Sequence, residues 1–370
     1  MSEIPTEGET QITQTNFEEI TKTVSAEFQI EEALIEHNIP TYYLKHPQET
    51  KQAFLKLLKN LEPLNLIAIL RRVNGRIVLR VIPKPPVKPS NVMVNWILFF
   101  ATIATTFLTG YILSQGITEL AGPVINPLIG GTAFTVAIMS VLGSHEMGHK
   151  LTADKRDVKA TPPYFIPGPP PIFGIFGIGT FGAVIMQKSL PPNKDSLFDV
   201  GSSGPIIGFI IATIVTSLGL TLSIPSPPSE SVSELPPTIL FILLYRFLSN
   251  FGLIPQTSQK EILLVHPIAL AGWVGMVVTM LNLLPAAMLD GGHVARSMVG
   301  EKTRSILTLL SILLLIFEGF WPMAFFVLFM SMYRHPGPLD DVSSLSLSRK
   351  LLTVLLVAIF VLCSFPIWIF

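Results

Sequence analysis

The sequence predicts a polytopic α-helical membrane protein with about six transmembrane helices, a small N-terminal α+β soluble domain and a Gly/Pro-rich membrane-associated hairpin. Three observations predict this fold class. Of 370 residues, 49% are hydrophobic and only 14% charged, whereas soluble domains carry about a quarter charged residues. Apolar runs of span length recur from Val92 to the C-terminus, and the residues before Val92 contain none.

Residues 1–16 are rich in Glu, Thr and Gln and offer little to bury, so a flexible N-terminus is expected. Residues 17–83 read as the soluble domain. Pro47 to Leu61 suits an amphipathic helix with Phe54, Leu57, Leu58 and Leu61 on one face. Leu66 to Arg72 and Arg76 to Ile82 flank Asn74-Gly75, a strong hairpin signal because both turn residues tolerate positive φ. A short strand at Thr41 to Leu44 completes the unit, and residues 84–91 form a stiff proline-rich linker. The membrane domain is expected over residues 92–370, with its core at about 124–300.

A bilayer-spanning helix needs roughly 20 mostly apolar residues. Val92 to Leu113, Val124 to Leu142, Ile206 to Ile224, Pro267 to Leu284 and Leu351 to Phe370 meet that length. Ile306 to Met332 is long for one helix and is interrupted by Glu318-Gly319 and Trp321-Pro322, so it reads as one tilted span or a short hairpin. Ile239 to Phe251 is too short to cross. Phe165 to Ile185 is crowded with Pro and Gly and reads as extended or hairpin backbone at membrane depth, tolerated only where protein groups or a water-filled cavity satisfy its amides.

Charge narrows the function classes. Twenty-five Lys and Arg balance 25 Asp and Glu without a dense basic run, which gives no nucleic-acid footprint. The single cysteine, Cys363, allows neither a disulfide framework nor a Cys-based metal site. Lys84 and Lys88 precede the first span, and Lys150, Lys155, Arg156 and Lys159 follow the second. Arg296, Lys302 and Arg304 return to the same side, which the positive-inside rule makes cytoplasmic or equivalent. Residues Met1 to Glu36 lack a signal-peptide or transit pattern, so internal segments are expected to direct entry into a prokaryotic plasma membrane, with the N-terminus and the chemistry facing the cytoplasm.

The chemistry concentrates in two motifs. His145 and His149 are four residues apart at the end of an apolar segment, which puts both imidazoles on one helix face and lets them grip one metal ion, zinc by preference. Glu146 sits beside them as general base. Ionisable groups are costly within membrane segments and are functional candidates by default. A zinc hydrolase needs a third protein ligand and an open position. Asp290 supplies the ligand: Pro285 ends the preceding span and Gly291-Gly292 frees the backbone so that the carboxylate can turn to the metal. His293, three residues on, reads equally as a partner behind the ligands or as a structural histidine. His37, His46, His266 and His335 carry less weight. Gly201, Gly204 and Gly208 read as helix-packing positions.

The pair His-Glu-x-x-His at 145–149 and Asn-x-x-Pro-x-x-x-Leu-Asp-Gly at 282–291 resembles the site-2 protease family of intramembrane zinc metalloproteases. Pro163-Tyr164-Phe165-Ile166-Pro167, Gly182-Ala183 and Leu197 to Pro205 resemble the branch that holds the plant chloroplast EGY proteins and prokaryotic relatives. The resemblance covers about residues 92–300. It implies His145, His149 and Asp290 as zinc ligands, Glu146 as catalytic base and Asn282 as a contact to the substrate backbone or oxyanion. It also likens Gly174 to Met186 to the family's membrane-associated hairpin, where a substrate strand would add, although close packing of backbone against helices explains the glycines as well.

The expected function is hydrolysis of peptide bonds in or near transmembrane segments of membrane-protein substrates, with lipid as the solvent and the N-terminal domain as a regulatory contact. A membrane metal transporter and an inactive membrane scaffold are the alternatives. A transporter would spread His and carboxylate along a path, whereas here they gather at one depth.

Overall fold

The computed structural model describes residues 14–87, 89–172, 177–228, 235–255 and 261–366. The expected flexible N-terminus lies almost wholly outside the described residues, as do Lys88 from the charge argument and Gly174 from the expected hairpin. The described chain divides into two compact units.

The first unit contains residues 14–87 together with Leu190–Lys194 and Gly337–Leu345. Helix α1 (Gln14–Ser25) precedes strands β1 (Ile30–Glu36) and β2 (Ile39–Leu44); helix α2 (Lys51–Leu61) leads to β3 (Leu66–Val73) and β4 (Arg76–Pro83). The strands form an antiparallel sheet in the order β1-β2-β4-β3. Asn74-Gly75 makes the tight turn its sequence demands, with φ of 49° and 83° and Val73 opposite Arg76. A second two-residue turn, His37-Asn38 at φ 50° and 63°, pairs β1 with β2. Its signal was faint because it carries no glycine. Phe54, Leu57 and Leu61 of α2 are buried against Tyr42, Leu70 and Leu79 of the sheet. Two segments from far along the chain complete this core. Leu70 N–H donates to the Leu339 carbonyl at 2.9 Å, Leu339 N–H donates to Pro191 at 2.8 Å, and Leu190, Leu339 and Val342 add side chains to the apolar cluster.

The second unit holds the apolar helices α3 (Val92–Ala121), α4 (Pro127–Lys155), α5 (Lys194–Thr221), α6 (Ile239–Asn250), α7 (Pro267–Leu283), α8 (Asp290–Phe317), α9 (Trp321–Ser331) and α10 (Leu347–Cys363). Among the described residues, α3, α4 and α5 are long and apolar enough to cross a bilayer. At 17 residues each, α7 and α10 measure about 25 Å, short of a hydrocarbon core of about 30 Å. Among the described residues, three helices therefore qualify as spans on length and composition, against the expected count of about six.

Ile306 to Met332 resolves as the helical hairpin, not the tilted span. Helix α8 stops at Glu318, Gly319 turns the chain at φ 78°, and α9 packs back against α8 around Leu315, Ala324 and Val327. Helix α8 also breaks at Gly300, with φ 76°, where Glu301 holds Arg296 at 3.3 Å and Arg304 at 2.7 Å. Both arginines are buried and share Glu301, so two of the three charges counted there as a topology marker do not lie on the surface.

The Gly/Pro-rich stretch forms a hairpin as expected, with β5 (Tyr164–Pro167) antiparallel to β6 (Thr180–Val184). It is fastened to α3: Thr105 Oγ1 donates to the Gly179 carbonyl at 2.6 Å and Asn95 Nδ2 to Pro163 at 2.9 Å. These bonds satisfy carbonyls that lipid would leave unpaired. Strands β7 (Ile224–Ser226) and β8 (Ile262–Leu264) form a small ribbon. Arg349 of α10 binds Asp199 of α5 through both its terminal and ε nitrogens, at 2.7 and 2.8 Å, and so fixes the start of α5.

Candidate metal centre

Helix α4 begins at Pro127 with Asn126 Oδ1 capping Leu128 N–H at 2.9 Å and ends two turns beyond His149. The four-residue spacing delivers what it predicts. His145 and His149 lie on one face with ring centroids 4.9 Å apart, both about 95% buried. Asp290 opens α8 and reaches them from the other side.

Three atoms converge. Asp290 Oδ2 lies 3.2 Å from His145 Nε2 and 3.2 Å from His149 Nε2, and the two nitrogens are 3.2 Å from each other. A tetrahedral zinc with bonds of about 2.0–2.1 Å holds its ligand atoms about 3.3–3.4 Å apart. The triangle therefore fits zinc, and its two-imidazole, one-carboxylate donor set leaves a fourth position open. His149 is prepared for such a role: its Nδ1 lies 2.6 Å from the Val200 carbonyl. A carbonyl only accepts, so Nδ1 carries the hydrogen and Nε2 presents its lone pair to the triangle.

Glu146, 6% exposed, places a carboxylate oxygen 4.0 Å from His145 Nε2, next to the triangle but outside it. Ligating atoms of His145, Glu146 and His149 all lie within 4.8 Å of one another. The backbone N–H of Ile185, just past β6, lies close to Glu146 and sets the hairpin beside the site. Asn282, in the last turn of α7, brings Nδ2 to 3.4 Å from His145 Nε2 and so reaches the rim of the site as its motif position implies.

His293 is different. Its Nδ1 pairs with His335 Nε2 at 2.7 Å, and the two rings stand nearly perpendicular, so its partner is a histidine from the segment after α9, not a member of the triangle. Sequence reading gave His335 little weight, and no local pattern connects the two positions.

The glycines of α5 turn out to pack against the residues expected as ligands. A Cβ on Gly204 would fall within 2.5 Å of His149 Cε1 and closer still to Nε2; on Gly208, 2.8 Å from His145 Nδ1; on Gly201, 3.0 Å from the Asp290 carbonyl. One face of α5 is thus a bare floor beneath both imidazoles and the Asp290 backbone. Val200, on the same helix, supplies the carbonyl that orients His149.

A profile described as Peptidase family M50 matches residues 133–317, half of the chain, and takes in His145, Glu146, His149, Asn282 and Asp290. The chain belongs to Peptidase family M50. This is the site-2 protease family of zinc metalloproteases, and M50 membership agrees with the two motifs. Among curated proteins the chain is similar to the probable zinc metalloprotease EGY1, chloroplastic, of Oryza sativa subsp. japonica, 29% identical over 62% of this chain and 40% of that protein. The Arabidopsis thaliana protein of the same name is 29% identical over 62% of this chain and 42% of its own length. The probable zinc metalloprotease EGY2, chloroplastic, of Arabidopsis thaliana is 30% identical over 54% of this chain and 34% of its own length. The chain thus spans about two-fifths of the length of the M50 relatives it matches. No solved structure matches it. These relatives are chloroplastic by name, and they lend no support to the prokaryotic plasma membrane expected from the N-terminal residues.

Proposed function

We propose that the protein is a zinc-dependent intramembrane endopeptidase that cuts peptide bonds in or near the transmembrane segments of membrane-protein substrates. The observation that carries this reading is the 3.2 Å triangle of His145 Nε2, His149 Nε2 and Asp290 Oδ2 with the Glu146 carboxylate beside it. In this reading His145, His149 and Asp290 hold the metal. Bound there, zinc supplies Lewis acidity toward a scissile carbonyl and acidifies the attacking water.

Glu146 takes the proton from that water and returns it to the nitrogen of the leaving amine, so one carboxylate serves as base and then as acid. Its burial, with the Ile185 N–H close by, holds it beside the triangle. The Asn282 amide, 3.4 Å from His145 Nε2, is suited to donate to the oxygen that gains charge during attack. A substrate helix hides its carbonyls in its own hydrogen bonds and must unwind to present one. The hairpin β5–β6, which ends where Ile185 meets Glu146, offers an extended backbone for that unwound segment to pair with.

Lys150, Lys155, Arg156 and Lys159 after α4 support a site facing the cytoplasmic or equivalent side. Helix α7, the 301–317 half of α8 and α10 complete about six crossings in this reading. Residues 17–83, completed by the segments at 190–194 and 337–345, act as a domain that controls substrate access.

The test is Glu146→Gln in the purified protein, scored for cleavage of a membrane substrate and for bound zinc together. Loss of cleavage with zinc retained is the expected outcome. Cleavage at the wild-type rate would discard Glu146 as the base and the mechanism with it.

A further inference from the structure

Asp290 follows a loop that is held in a conformation its own sequence resists. Ala287 sits at φ 43°, in the left-handed region that an L-residue with a Cβ avoids. Both of its backbone polar groups are tied to a single turn of α8. Ala287 N–H donates to Thr308 Oγ1 at 3.0 Å, and the Ala287 carbonyl accepts from Arg304 Nη1 at 3.0 Å. The Thr308 hydroxyl in turn donates to the Arg304 carbonyl at 2.9 Å.

The turn that makes these bonds is itself locked. Arg304 is 3% exposed and meets Glu301 with two nitrogens at 2.7 and 3.0 Å. Glu301 lies 3.3 Å from Arg296 across the Gly300 break, so the two halves of α8 are stapled at the kink. A guanidinium buried among apolar helices is costly unless fully paired, and peptide hydrolysis at the triangle makes no use of this one. The loop also sits directly on the start of α8. A Cβ on Gly292 would come within 2.5 Å of the Ala286 and Ala287 carbonyl oxygens, while Leu289 N–H donates to Ala286 at 3.0 Å. Whatever fixes Ala287 therefore fixes the origin of the Asp290 side chain.

We propose that Arg304 and Thr308 are positioning residues for the metal centre: by clamping Ala287 in its left-handed conformation they preorganise Asp290 to face His145 and His149. The inference rests on the zinc site proposed above. Losing either clamp frees the loop to relax toward ordinary backbone geometry, and Asp290 then spends less of its time in the triangle.

The experiment measures zinc affinity of the full-length protein by chelator competition. The set is wild type, Asp290→Ala, Thr308→Val, Arg304→Met, Ala287→Gly, and each clamp variant combined with Ala287→Gly. Thr308→Val is expected to weaken zinc binding about tenfold, in the range typical of residues that orient ligands. Ala287→Gly is expected to leave affinity within about threefold of wild type, because glycine enters the left-handed region without penalty. In that background Thr308→Val should cost less than about threefold, since the loop no longer needs holding. Wild-type affinity in Thr308→Val, or the same loss with and without Ala287→Gly, would overturn the proposal. Arg304→Met leaves Glu301 without its closest partner and invites misfolding, so the smaller Thr308→Val change decides the question. Zinc retained at wild-type affinity by Asp290→Ala would instead overturn the site itself.

Discussion

Replacing Gly204 with alanine adds one methyl group where α5 passes beneath His149. The new carbon would stand 2.5 Å from His149 Cε1, whereas ordinary contact starts at 3.4 Å, so at that atom alone the ring must retreat by about 0.9 Å, and by more at Nε2. The ring has no free direction to take, because Nδ1 is tied to the Val200 carbonyl at 2.6 Å on the same helix. A zinc–nitrogen bond of about 2.0–2.1 Å does not survive a shift of about 1 Å, so Gly204→Ala removes one of three ligands. Zinc affinity should fall by at least about 100-fold, beyond the range for residues that only orient a ligand. The assay is zinc content after gel filtration, read beside cleavage of a membrane substrate and thermal unfolding. Gly116→Ala, in α3 with open space around the added carbon, is the matched control. It should keep its zinc and gain up to about 1 kcal/mol of helix propensity. A Gly204→Ala protein that binds zinc like wild type and cleaves at full rate would refute the steric reasoning.

Two further outcomes follow from other parts of the fold. The His335 imidazole is held well below its usual pKa, first by burial and then by His293, Arg304 and Arg296 around it, while its unfolded value is about 6.5. A histidine with a depressed folded pKa keeps its stability contribution above the unfolded pKa and loses it as pH falls. Thermal stability should therefore drop between pH 6.5 and 5 by on the order of 1–2 kcal/mol, and His335→Asn should flatten that slope; an unchanged slope in the variant would count against it. Deleting residues 1–88 should lower the unfolding temperature as well as alter substrate choice, because Leu190, Leu339 and Val342 lose the core they pack into. A truncated protein of unchanged stability and cleavage would dismiss both effects.

The site was legible because its chemistry is written in short patterns. A helix fixes which side chains share a face, so His145 and His149 could be paired from spacing alone, and Pro285 marked the end of the helix before Asp290. Asn74-Gly75 was legible for the same local reason. What escaped depends on parts of the chain that meet only in three dimensions. Gly204 and Gly208 read as packing positions, and only the fold reveals that imidazoles occupy the space they leave. Arg296 and Arg304 read as charges on the membrane surface, yet both are buried with Glu301, because pairing and burial are tertiary properties that a charge count misses. His335 and the segments at 190–194 and 337–345 join partners more than 40 residues away, at separations where sequence periodicity carries no signal. Hydrophobicity located the apolar helices but not every end: α3 was expected to stop at Leu113 and runs to Ala121, before Gly122, whereas α7 ends at Leu283, within one residue of the expected bound.

The most direct test is X-ray absorption at the zinc edge of the purified protein, with metal content measured on the same sample. One zinc per chain, with two imidazole nitrogens and light oxygen ligands at about 2.0–2.1 Å and no sulfur, is the expected spectrum, and Asp290→Ala should lose the carboxylate contribution and most of the metal. A shell containing sulfur, or a full complement of zinc in a protein lacking both His145 and His149, would contradict the assignment.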